Sequence, residues 1–375
     1  MKTDLLIIGA GPFGLALAAR AQHEQIEHVI VGKPMEFWRR HMPPGMFLRS
    51  ACDWHLDPQN VHTIEAFLAT QNKTPAGVEP LSLELYLSYV EWFRQQKQIQ
   101  PLPIYVQRLD YDADHFVATT LAGEVIAARR VVLAPGFKHF THIPDELKRK
   151  LPAGRFQHTA EFVDFGDAQD KRYLIIGGRQ SAFEWAALLL EAGAAAVHLS
   201  HRHASPAFAV ADWSWVNPLV DNMVADPNWF RRLSQAEKDE VSHRLWAEGR
   251  LKIEPWLEAR LDDERVKLWP QTALESCSED LEVTLTNGAT FKVDHIILAT
   301  GYKVDIARLP YLAAGNVLAR LETRNGFPVL DDHFETSVPG LFITSMPAGQ
   351  DFGPFFGFTI SVRTSARLIC ERLVA

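Results

Sequence analysis

Cysteine is scarce in this chain of 375 residues. Its three cysteines, Cys52, Cys277 and Cys370, lie far apart, and no pair has the C-x-x-C spacing. This excludes a redox-active dithiol built from neighbouring cysteines and suits a reducing compartment, so we expect a cytoplasmic protein. No His/Cys spacing is that of a metal site, and no Gly-x-Ser-x-Gly elbow is present. Neither a bound metal nor serine hydrolase chemistry is therefore expected.

Long apolar runs and an excess of positive charge are missing as well. No stretch approaches the ~20 apolar residues of a membrane span. The net charge of -8 argues against nucleic acid or an anionic membrane as the main partner. Hydrophobic residues make up 47% of the chain, which is ordinary for a globular protein with a large core, and the length predicts two domains.

The first twenty residues carry the strongest motif that is present. Residues 4–8 favour a buried strand, residues 9–14 have the pattern G-x-G-x-x-G, and residues 15–22 favour a helix. Strand, glycine turn and helix together are the fingerprint of dinucleotide binding. The first glycine permits the tight turn, the second lets a pyrophosphate approach the backbone, and the third lets the helix pack on the strand. The alternative is a glycine turn that binds nothing. The candidate cofactor-binding residues here are Gly9, Gly11, Pro12, Phe13 and Gly14.

The rest of this first unit departs from the usual pattern at one point. Residues 29–31 favour its second strand, but Gly32 and Lys33 stand where an acidic residue would hold an adenosine ribose. The ribose must therefore be held by another group. Residues 36–60 are rich in Pro, Trp, Met and His without periodicity, which is typical of a binding loop.

Further elements of a first domain follow. Residues 83–96 have the spacing of an amphipathic helix, and residues 104–108 and 115–120 favour antiparallel strands. Residues 130–133 favour a buried strand that ends in Ala134-Pro135-Gly136. Pro135 and Gly136 are therefore further candidate cofactor contacts.

A second strand–turn–helix unit begins at Arg172. Residues 173–176 favour the strand and residues 183–192 the helix, but Arg179 occupies the place of the glycine that would admit phosphate. The alternative is an ordinary turn that has lost its ligand. The next strand, residues 197–199, ends in basic residues, which suit the 2′-phosphate of NADPH. The candidate residues of this unit are Gly177, Gly178, Gln180, Ser181 and Arg202.

Tryptophan is concentrated in the stretch that follows the basic residues after the strand at 197–199. Residues 205–270 hold six of the ten tryptophans, and residues 234–248 favour a helix. We expect a helical insertion in which most of these aromatic residues form the core. Trp213 and Trp215 lie in a loop-like stretch and are candidates for a lid over a ligand.

The remaining sequence returns to strands and a last helix. Residues 283–293 favour a hairpin around Asn287-Gly288, and residues 340–344 favour the last strand. Residues 353–357 are expected to open the final helix at 358–373. The predicted fold class is therefore α/β with two Rossmann-like dinucleotide-binding domains. The first is formed by residues 1–150 and 301–375, and the second by residues 151–300 with the Trp-rich helical insertion at 205–270.

In this order of motifs the chain resembles the two-dinucleotide flavoproteins, in particular the single-component flavin monooxygenases. That group includes N-hydroxylating, Baeyer–Villiger and flavin-containing monooxygenases. Residues 294–302 (D-x3-LATGY) are similar to the second ATG motif of the family, and residues 154–162 (G-x3-H-x3-F) to its linker fingerprint. Residues 38–45 (W-x5-PG) have the spacing of a flavin-contacting segment. The resemblance covers nearly the whole chain.

Two departures from that resemblance narrow the chemistry. Arg49 stands where Baeyer–Villiger enzymes carry an Asp, which argues against conversion of ketones to esters. Ser345-Met346 replaces the Gly-Asp pair that anchors the ribityl chain in disulfide reductases, and a C-x-x-C pair is missing, so disulfide reduction is not expected.

The resemblance implies FAD at the first turn and NADPH at the second. Residues 353–357 would place a helix N-terminus beside the flavin pyrimidine ring, where negative charge develops on reduction; the alternative is a helix cap alone. The further residues predicted to bind a cofactor are Trp38, Leu48, Ser50, Val106, Gly301, Gly353 and Phe355. No catalytic side chain is assigned.

The implied activity is that of an NADPH-dependent monooxygenase. Its substrates would be O2 and a small soluble molecule, which is hydroxylated on an amine nitrogen or a heteroaromatic ring through a C4a-peroxyflavin. One alternative is a flavin reductase or electron-transfer enzyme without oxygen insertion, and another is a non-catalytic flavin sensor. The protein is a possible homodimer.

Overall fold

A computed structural model describes all residues from Met1 to Ala375. The strands are β1 (Lys2–Ile8), β2 (His28–Val31), β3 (Val106–Asp112), β4 (His115–Thr120), β5 (Val125–Leu133), β6 (Phe156–His158), β7 (Arg172–Ile176), β8 (Ala196–His201), β9 (Ala207–Phe208), β10 (Lys252–Ile253), β11 (Val266–Pro270), β12 (Leu274–Cys277), β13 (Glu282–Leu285), β14 (Thr290–Lys292), β15 (His295–Leu298), β16 (Thr323–Arg324), β17 (Phe327–Pro328) and β18 (Leu341–Ile343). The helices are α1 (Pro12–His23), α2 (Glu36–Arg40), α3 (Ile64–Ala69), α4 (Leu83–Lys97), α5 (Asp145–Lys150), α6 (Gln180–Glu191), α7 (Val216–Asn222), α8 (Trp229–Arg232), α9 (Gln235–Arg250), α10 (Glu258–Leu261), α11 (Pro310–Ala313), α12 (Gly349–Phe352) and α13 (Val362–Val374).

The first sheet joins strands from both ends of the chain. Its order is β2-β1-β5-β4-β3, and β18 pairs with residues 131–133 of β5, beyond the part of β5 that pairs with β4. Strands β1, β2, β5 and β18 are parallel, whereas β3 and β4 are antiparallel to their neighbours. Leu5, Leu6 and Ile7 of β1 are fully buried, as expected for a central parallel strand covered on both faces. Helices α1 and α13 pack against each other on this sheet.

The second sheet is built from one continuous part of the chain. Its order is β11-β8-β7-β15-β6, and every pairing in it is parallel. The predicted α/β class with two dinucleotide-binding units is therefore confirmed. Division of the chain at about residues 150 and 300 stays a prediction, which this distribution of strands supports.

The Trp-rich insertion contains helices α7 to α10 but ends earlier than predicted. Residues 266–270 form β11 and pair with β8, so they belong to the second sheet. Trp269 lies there and stacks with Phe291 at a ring distance of 5.7 Å. Helix α9 is fixed at its start by a capping box, in which the side chains of Ser234 and Glu237 bond to each other's backbone N–H groups.

The last helix begins four residues later than predicted. Residues 354–357 and 359–361 form two separate 3₁₀ turns, and α13 starts only at Val362. The physical reason is that Phe355 and Phe356 are fully buried, so packing of these side chains determines the local backbone.

No helix of the chain combines the length and apolar character needed to cross a membrane.

Candidate cofactor-binding site

The glycines of the first turn meet three different physical requirements. Gly9 has a φ of 118°, and a Cβ atom there would lie 2.2 Å from the carbonyl oxygen of Ala134. A Cβ on Gly14 would lie 1.8 Å from the carbonyl oxygen of Gly9, so α1 packs directly on the turn. Around Gly11, by contrast, no atom lies within 4 Å of the Cβ position. The turn is therefore closed on two sides and open at Gly11, as a phosphate-binding turn requires.

Helix α1 presents free N–H groups at this opening. Pro12 is its first residue, and Gly11 at the N-cap position provides no side-chain hydrogen bond. The first N–H groups of a helix have no partner inside the helix and favour an anion. The start of α1 is thus a suitable site for a phosphate.

A cleft of about 520 Å³ opens beside this turn. It is bordered by the segments that follow β1, β2 and β5 and by the segment that leads into β3. Its charged side chains are Lys33, Arg40 and Lys138 against a single carboxylate, that of Glu36. This excess of positive charge suits an anionic ligand. The residues predicted from the sequence that line the cleft are Gly9, Gly11, Pro12, Phe13, Trp38, Val106, Pro135 and Gly136.

Glu36 is a site residue that sequence reasoning missed. It lies on α2, after the position where an acidic residue is usual, and lines the cleft. Its carboxylate accepts a hydrogen bond of 2.5 Å from the Tyr105 hydroxyl and lies 3.4 Å from Lys138 Nζ. Partial burial acts to raise the pKa of Glu36, but the Tyr105 hydrogen bond and the charge of Lys138 outweigh it and hold the pKa below its ordinary value. The only sequence signal was an acidic residue beside the expected position.

Other predicted flavin contacts lie outside the cleft. Leu48 is buried and its backbone N–H bonds to Leu81. Ser50 reaches the cleft only indirectly, because its hydroxyl accepts a hydrogen bond from Thr359, which does line it. Gly301 follows β15 in the second sheet, and its carbonyl oxygen lies 3.0 Å from His158 Nε2.

Gly353 and Phe355 also lie away from the cleft, and residues 354–357 form a 3₁₀ turn instead of leading directly into the last helix; their position beside a flavin stays a prediction. A Cβ on Gly353 would lie 3.2 Å from the Phe230 ring, and Phe355 is fully buried against Trp215 at a ring distance of 5.4 Å. The cleft is instead lined by the next residues, Gly357, Phe358 and Thr359.

The second turn repeats the geometry of the first. Gly177 has a φ of 144°, and a Cβ there would lie 2.5 Å from the carbonyl oxygen of Ala299. The carbonyl oxygens of Ala134 and Ala299 thus lie in equivalent positions against the first glycine of each turn. A Cβ on Gly178 would lie 2.5 Å from His201. Helix α6 has no side-chain cap, so its first N–H groups are available.

The other predicted residues of the second unit surround the start of α6. Gln180 is the first residue of this helix, and its side-chain oxygen accepts a hydrogen bond of 3.1 Å from the Glu254 backbone N–H. Ser181 is exposed on the first turn of α6, and Arg202 is exposed directly after β8. The second glycine turn, the end of β8 and the segment around Glu254 therefore meet at the start of α6.

The segment Gly249–Glu254 touches both predicted nucleotide-binding units. Arg49, from the 36–60 loop, donates to the Glu254 carboxylate at 2.6 Å and to the carbonyl oxygens of Gly249 and Lys252. Glu254 is only 6% exposed, and its backbone N–H bonds to Gln180 of α6. We call residues 249–254 the bridging segment.

Aromatic residues of the insertion meet the edge of the cleft. Trp213 lies 6.0 Å from Trp54 and 6.2 Å from Phe358 between ring centroids. Phe358 lines the cleft and remains partly exposed, whereas Trp54 is buried behind it. Trp213 therefore contacts a residue that lines this end of the cleft, and its role as a lid stays a prediction. Trp215 is equally half-buried and contacts the Phe355 ring instead.

A buried histidine connects the 36–60 loop to α13. His55 is 6% exposed, and its Nε2 atom lies 2.6 Å from the Arg363 guanidinium. Burial and the charge of Arg363 lower the pKa of His55 to about 4. The ring is therefore neutral near pH 7 and accepts a hydrogen bond from Arg363.

The cysteines do not form a thiol site. All three are free, and Cys52 and Cys370 are buried. Burial raises the pKa of each of these two thiols to about 12. Since the thiolate is the reactive form, neither is suited to thiol–disulfide exchange.

The sequence profile of the pyridine nucleotide-disulphide oxidoreductase family matches residues 6–243. This match extends over more than half of the chain and includes both glycine turns, and the chain belongs to this family. The expected relationship to the two-dinucleotide flavoproteins is thereby confirmed.

Among individual proteins, the chain is 25% identical to the FAD-dependent urate hydroxylase of Xanthomonas campestris pv. campestris over an alignment 224 residues long, which covers 54% of this chain and 46% of that protein. The chain spans about half the length of the curated relatives it matches.

Two solved structures share the fold over the whole chain. The ornithine N-hydroxylase of Kutzneria sp. 744 has a TM-score of 0.81 at 16% identity, with 100% of both chains covered. The bacillithiol disulfide reductase of Staphylococcus aureus has a TM-score of 0.70 at 18% identity, with 100% of this chain and 98% of that chain covered.

Proposed function

We propose that the protein is an FAD-dependent monooxygenase that uses NADPH and O2 to hydroxylate a small soluble substrate. The observation that carries this proposal is the repeated geometry of Gly9 against Ala134 and Gly177 against Ala299. One chain thus has two turns of the kind that binds a dinucleotide, as an enzyme that passes electrons from one cofactor to the other requires.

The first turn and the cleft fit FAD. The pyrophosphate would lie at Gly11 and the free N–H groups of α1, where no protein atom fills the space. The Tyr311 hydroxyl, which is buried at the cleft and has no hydrogen-bond partner, offers a further polar contact. Glu36 would accept hydrogen bonds from the adenosine ribose, in place of the acidic residue that is missing at Gly32-Lys33.

The second turn fits NADPH. The free start of α6 would receive its pyrophosphate. No acidic residue follows β8 that would favour NADH, and Arg202 stands there with its guanidinium exposed. A preference for NADPH over NADH is therefore part of the proposal.

When bound, FAD would accept hydride from NADPH and then activate O2 for transfer to the substrate. The protein must orient the two cofactors and keep water from the reacting atoms. Trp213 and Phe358 are suited to this exclusion because they close one end of the cleft with apolar surface. No side chain is required as a nucleophile.

The end of the cleft at Phe358 and Trp213 favours a planar heteroaromatic substrate over an amine, because these side chains offer apolar ring surface. The one carboxylate that lines the cleft, Glu36, is assigned to the adenosine ribose of FAD and is therefore not available to an ammonium group of the substrate. Phe358 offers a ring face for stacking, and the urate hydroxylase similarity agrees with this class. N-hydroxylation of an amine remains the second candidate, supported by the fold of the ornithine N-hydroxylase.

One series of measurements tests the proposal. Protein reconstituted with FAD is first titrated with NADPH without oxygen, which should bleach the flavin absorbance. It is then mixed with ¹⁸O2 and a panel of purines, indoles and diamines, and one product should carry the label. Failure to bind FAD or to bleach would refute the oxidoreductase. Bleaching with all electrons recovered as H2O2 for every substrate would instead support a flavin reductase, for which the two nucleotide sites suffice.

A further inference from the structure

Three arginine side chains without partners border the second turn. Arg179 is the N-cap residue of α6, Arg202 follows β8, and Arg250 is the last residue of α9 in the insertion. All three are exposed, and none of their guanidinium groups forms a hydrogen bond or an ion pair. Most other arginines in the chain bond to carboxylates or carbonyl oxygens, so three free ones at one place call for an explanation.

The backbone brings these residues together from distant parts of the sequence. Strands β7 and β8 are neighbours, and the Gly177 backbone N–H bonds to Ser200 at 2.9 Å. The Gly178 position lies directly against His201. The bridging segment, which begins at the end of α9, bonds to Gln180 at the start of α6. The three guanidinium groups therefore surround the same turn.

Their charges act on one another. The surrounding chain removes part of the solvent from Arg179, and the charges of Arg250 and Arg202 add to this effect, so the pKa of Arg179 falls to about 10. Like charges held close together disfavour the folded state. The charge of Arg202 also acts on Glu146, but that carboxylate is paired with Lys150 and forms no ion pair with Arg202. A dianion between the three arginines would remove their repulsion and accept charge-assisted hydrogen bonds from each guanidinium. The free N–H groups of α6 would add to the attraction.

We propose that Arg250, together with Arg179 and Arg202, binds the 2′-phosphate of NADPH, so that the helical insertion completes the nucleotide site. This inference rests on the proposed function. It adds Arg179 and Arg250 to the NADPH site, whereas the basic sequence after β8 indicated only Arg202. Arg179, which occupies the place of a glycine and could be taken as a sign of a lost ligand, becomes part of the site. Residues of the insertion would then set the preference for the phosphorylated cofactor.

Calorimetric titration with 2′,5′-ADP and with 5′-ADP tests the proposal, since the two probes differ in the 2′-phosphate. The FAD-loaded full chain with Arg250→Gln should bind 2′,5′-ADP at least tenfold more weakly and 5′-ADP within twofold of the unaltered protein. Arg244→Gln is the matched control. Arg244 lies on the same helix, but it pairs with Asp212 at 3.6 Å and stacks on Trp215, so both affinities should stay unchanged.

A second variant separates an attractive role of Arg179 from a merely obstructive one. Arg179→Gly restores the usual glycine. The proposal predicts weaker binding of 2′,5′-ADP, whereas an obstructive Arg179 predicts tighter binding of both probes. An Arg250→Gln protein that binds 2′,5′-ADP normally, or loses both probes equally while retaining FAD, would overturn the inference and leave the proposed function standing. If the unaltered protein binds neither probe, the assignment of NADPH itself fails.

Discussion

At the scale of single residues, the first turn separates binding from folding. Gly11 has an ordinary φ of -83° and open space at its Cβ position, whereas Gly14 has the Gly9 carbonyl oxygen in that place. Both are glycines of the same motif, yet only Gly11 borders open space. The pair therefore provides a matched test of what the motif is for.

We predict that Gly11→Ala weakens FAD binding at least tenfold while changing the free energy of unfolding of the apoprotein by less than about 1 kcal/mol. Gly14→Ala should lower that free energy by at least about 2 kcal/mol, because the new methyl group overlaps backbone. Flavin fluorescence titration and urea unfolding measure the two quantities. Unchanged FAD affinity in the Gly11 variant would count against the pyrophosphate position.

His55 predicts a pH dependence of stability. An unfolded chain protonates this histidine near pH 6.5, but the folded protein does so only near pH 4. Because the unfolded state binds more protons between these values, the free energy of unfolding should fall as the pH drops from about 6.5 to 4, by about 2–3 kcal/mol. It should be insensitive to His55 above pH 7.

Urea unfolding at several pH values checks this expectation. His55→Gln should remove the additional loss of stability below pH 6.5. His115→Gln serves as the control, since His115 is the first residue of β4 and its ring bonds locally, to the Ala113 carbonyl oxygen. An equal pH dependence in the His55 variant and the unaltered protein would contradict the assignment.

At the scale of elements, a buried ion pair is one of the contacts that hold the 36–60 loop to the insertion, besides the hydrogen bonds of Asp53 and Trp54 with Asn217. Arg49 bonds to Glu254, which is 6% exposed. Removing one member of a buried pair leaves the other charged and without a partner, which costs about 3–5 kcal/mol. This contact should therefore matter more to stability than the exposed pairs of the surface.

We predict that Arg49→Met lowers the free energy of unfolding by about 3 kcal/mol. The double variant with Glu254→Gln should lose less than the sum of the two single variants, by at least about 1 kcal/mol, as a double-mutant cycle measures. Arg108→Met, which breaks the exposed pair with Asp110, should have little effect. Additive losses for the Arg49 and Glu254 variants would show that the two side chains do not act together.

The elements also show how far the sequence alone could lead. The strand–turn–helix units were predictable because each motif is local, and Gly9 and Gly14 make the close backbone contacts that their positions implied. The start of α13 was not predictable, because tertiary packing of Phe355 and Phe356 determines that segment. Strand β11 has mostly exposed side chains and no alternation of its own. The arginines at 179, 202 and 250 are remote in sequence, so no spacing pattern could have joined them.

At the scale of the whole molecule, the insertion reaches from the second unit to the cleft of the first. Trp213 lies against Trp54 and Phe358 at the cleft edge. If this contact keeps water from the flavin, removing the Trp213 side chain should increase the release of H2O2 in place of hydroxylated product. The position of one insertion side chain would then determine how efficiently NADPH is used.

We predict that Trp213→Ala raises the H2O2 released per NADPH consumed at least threefold, as a coupled peroxidase assay measures. Trp269→Ala provides the comparison, because Trp269 lies on the edge strand of the second sheet away from the cleft. Its peroxide yield should match that of the unaltered protein. Equal yields from both variants would argue that Trp213 is a packing residue only.

The pairing of β18 with β5 has a consequence for synthesis on the ribosome. All strands of the second sheet lie between residues 156 and 298, whereas the first sheet lacks an edge strand until residues 341–343 have emerged. The later-encoded unit can thus be completed while the amino-terminal one still exposes the edge of β5 and the face of α1 that α13 covers. A nascent chain stalled before residue 341 should therefore be digested by protease in its first half and resist digestion in its middle, the reverse of the usual order in which domains mature.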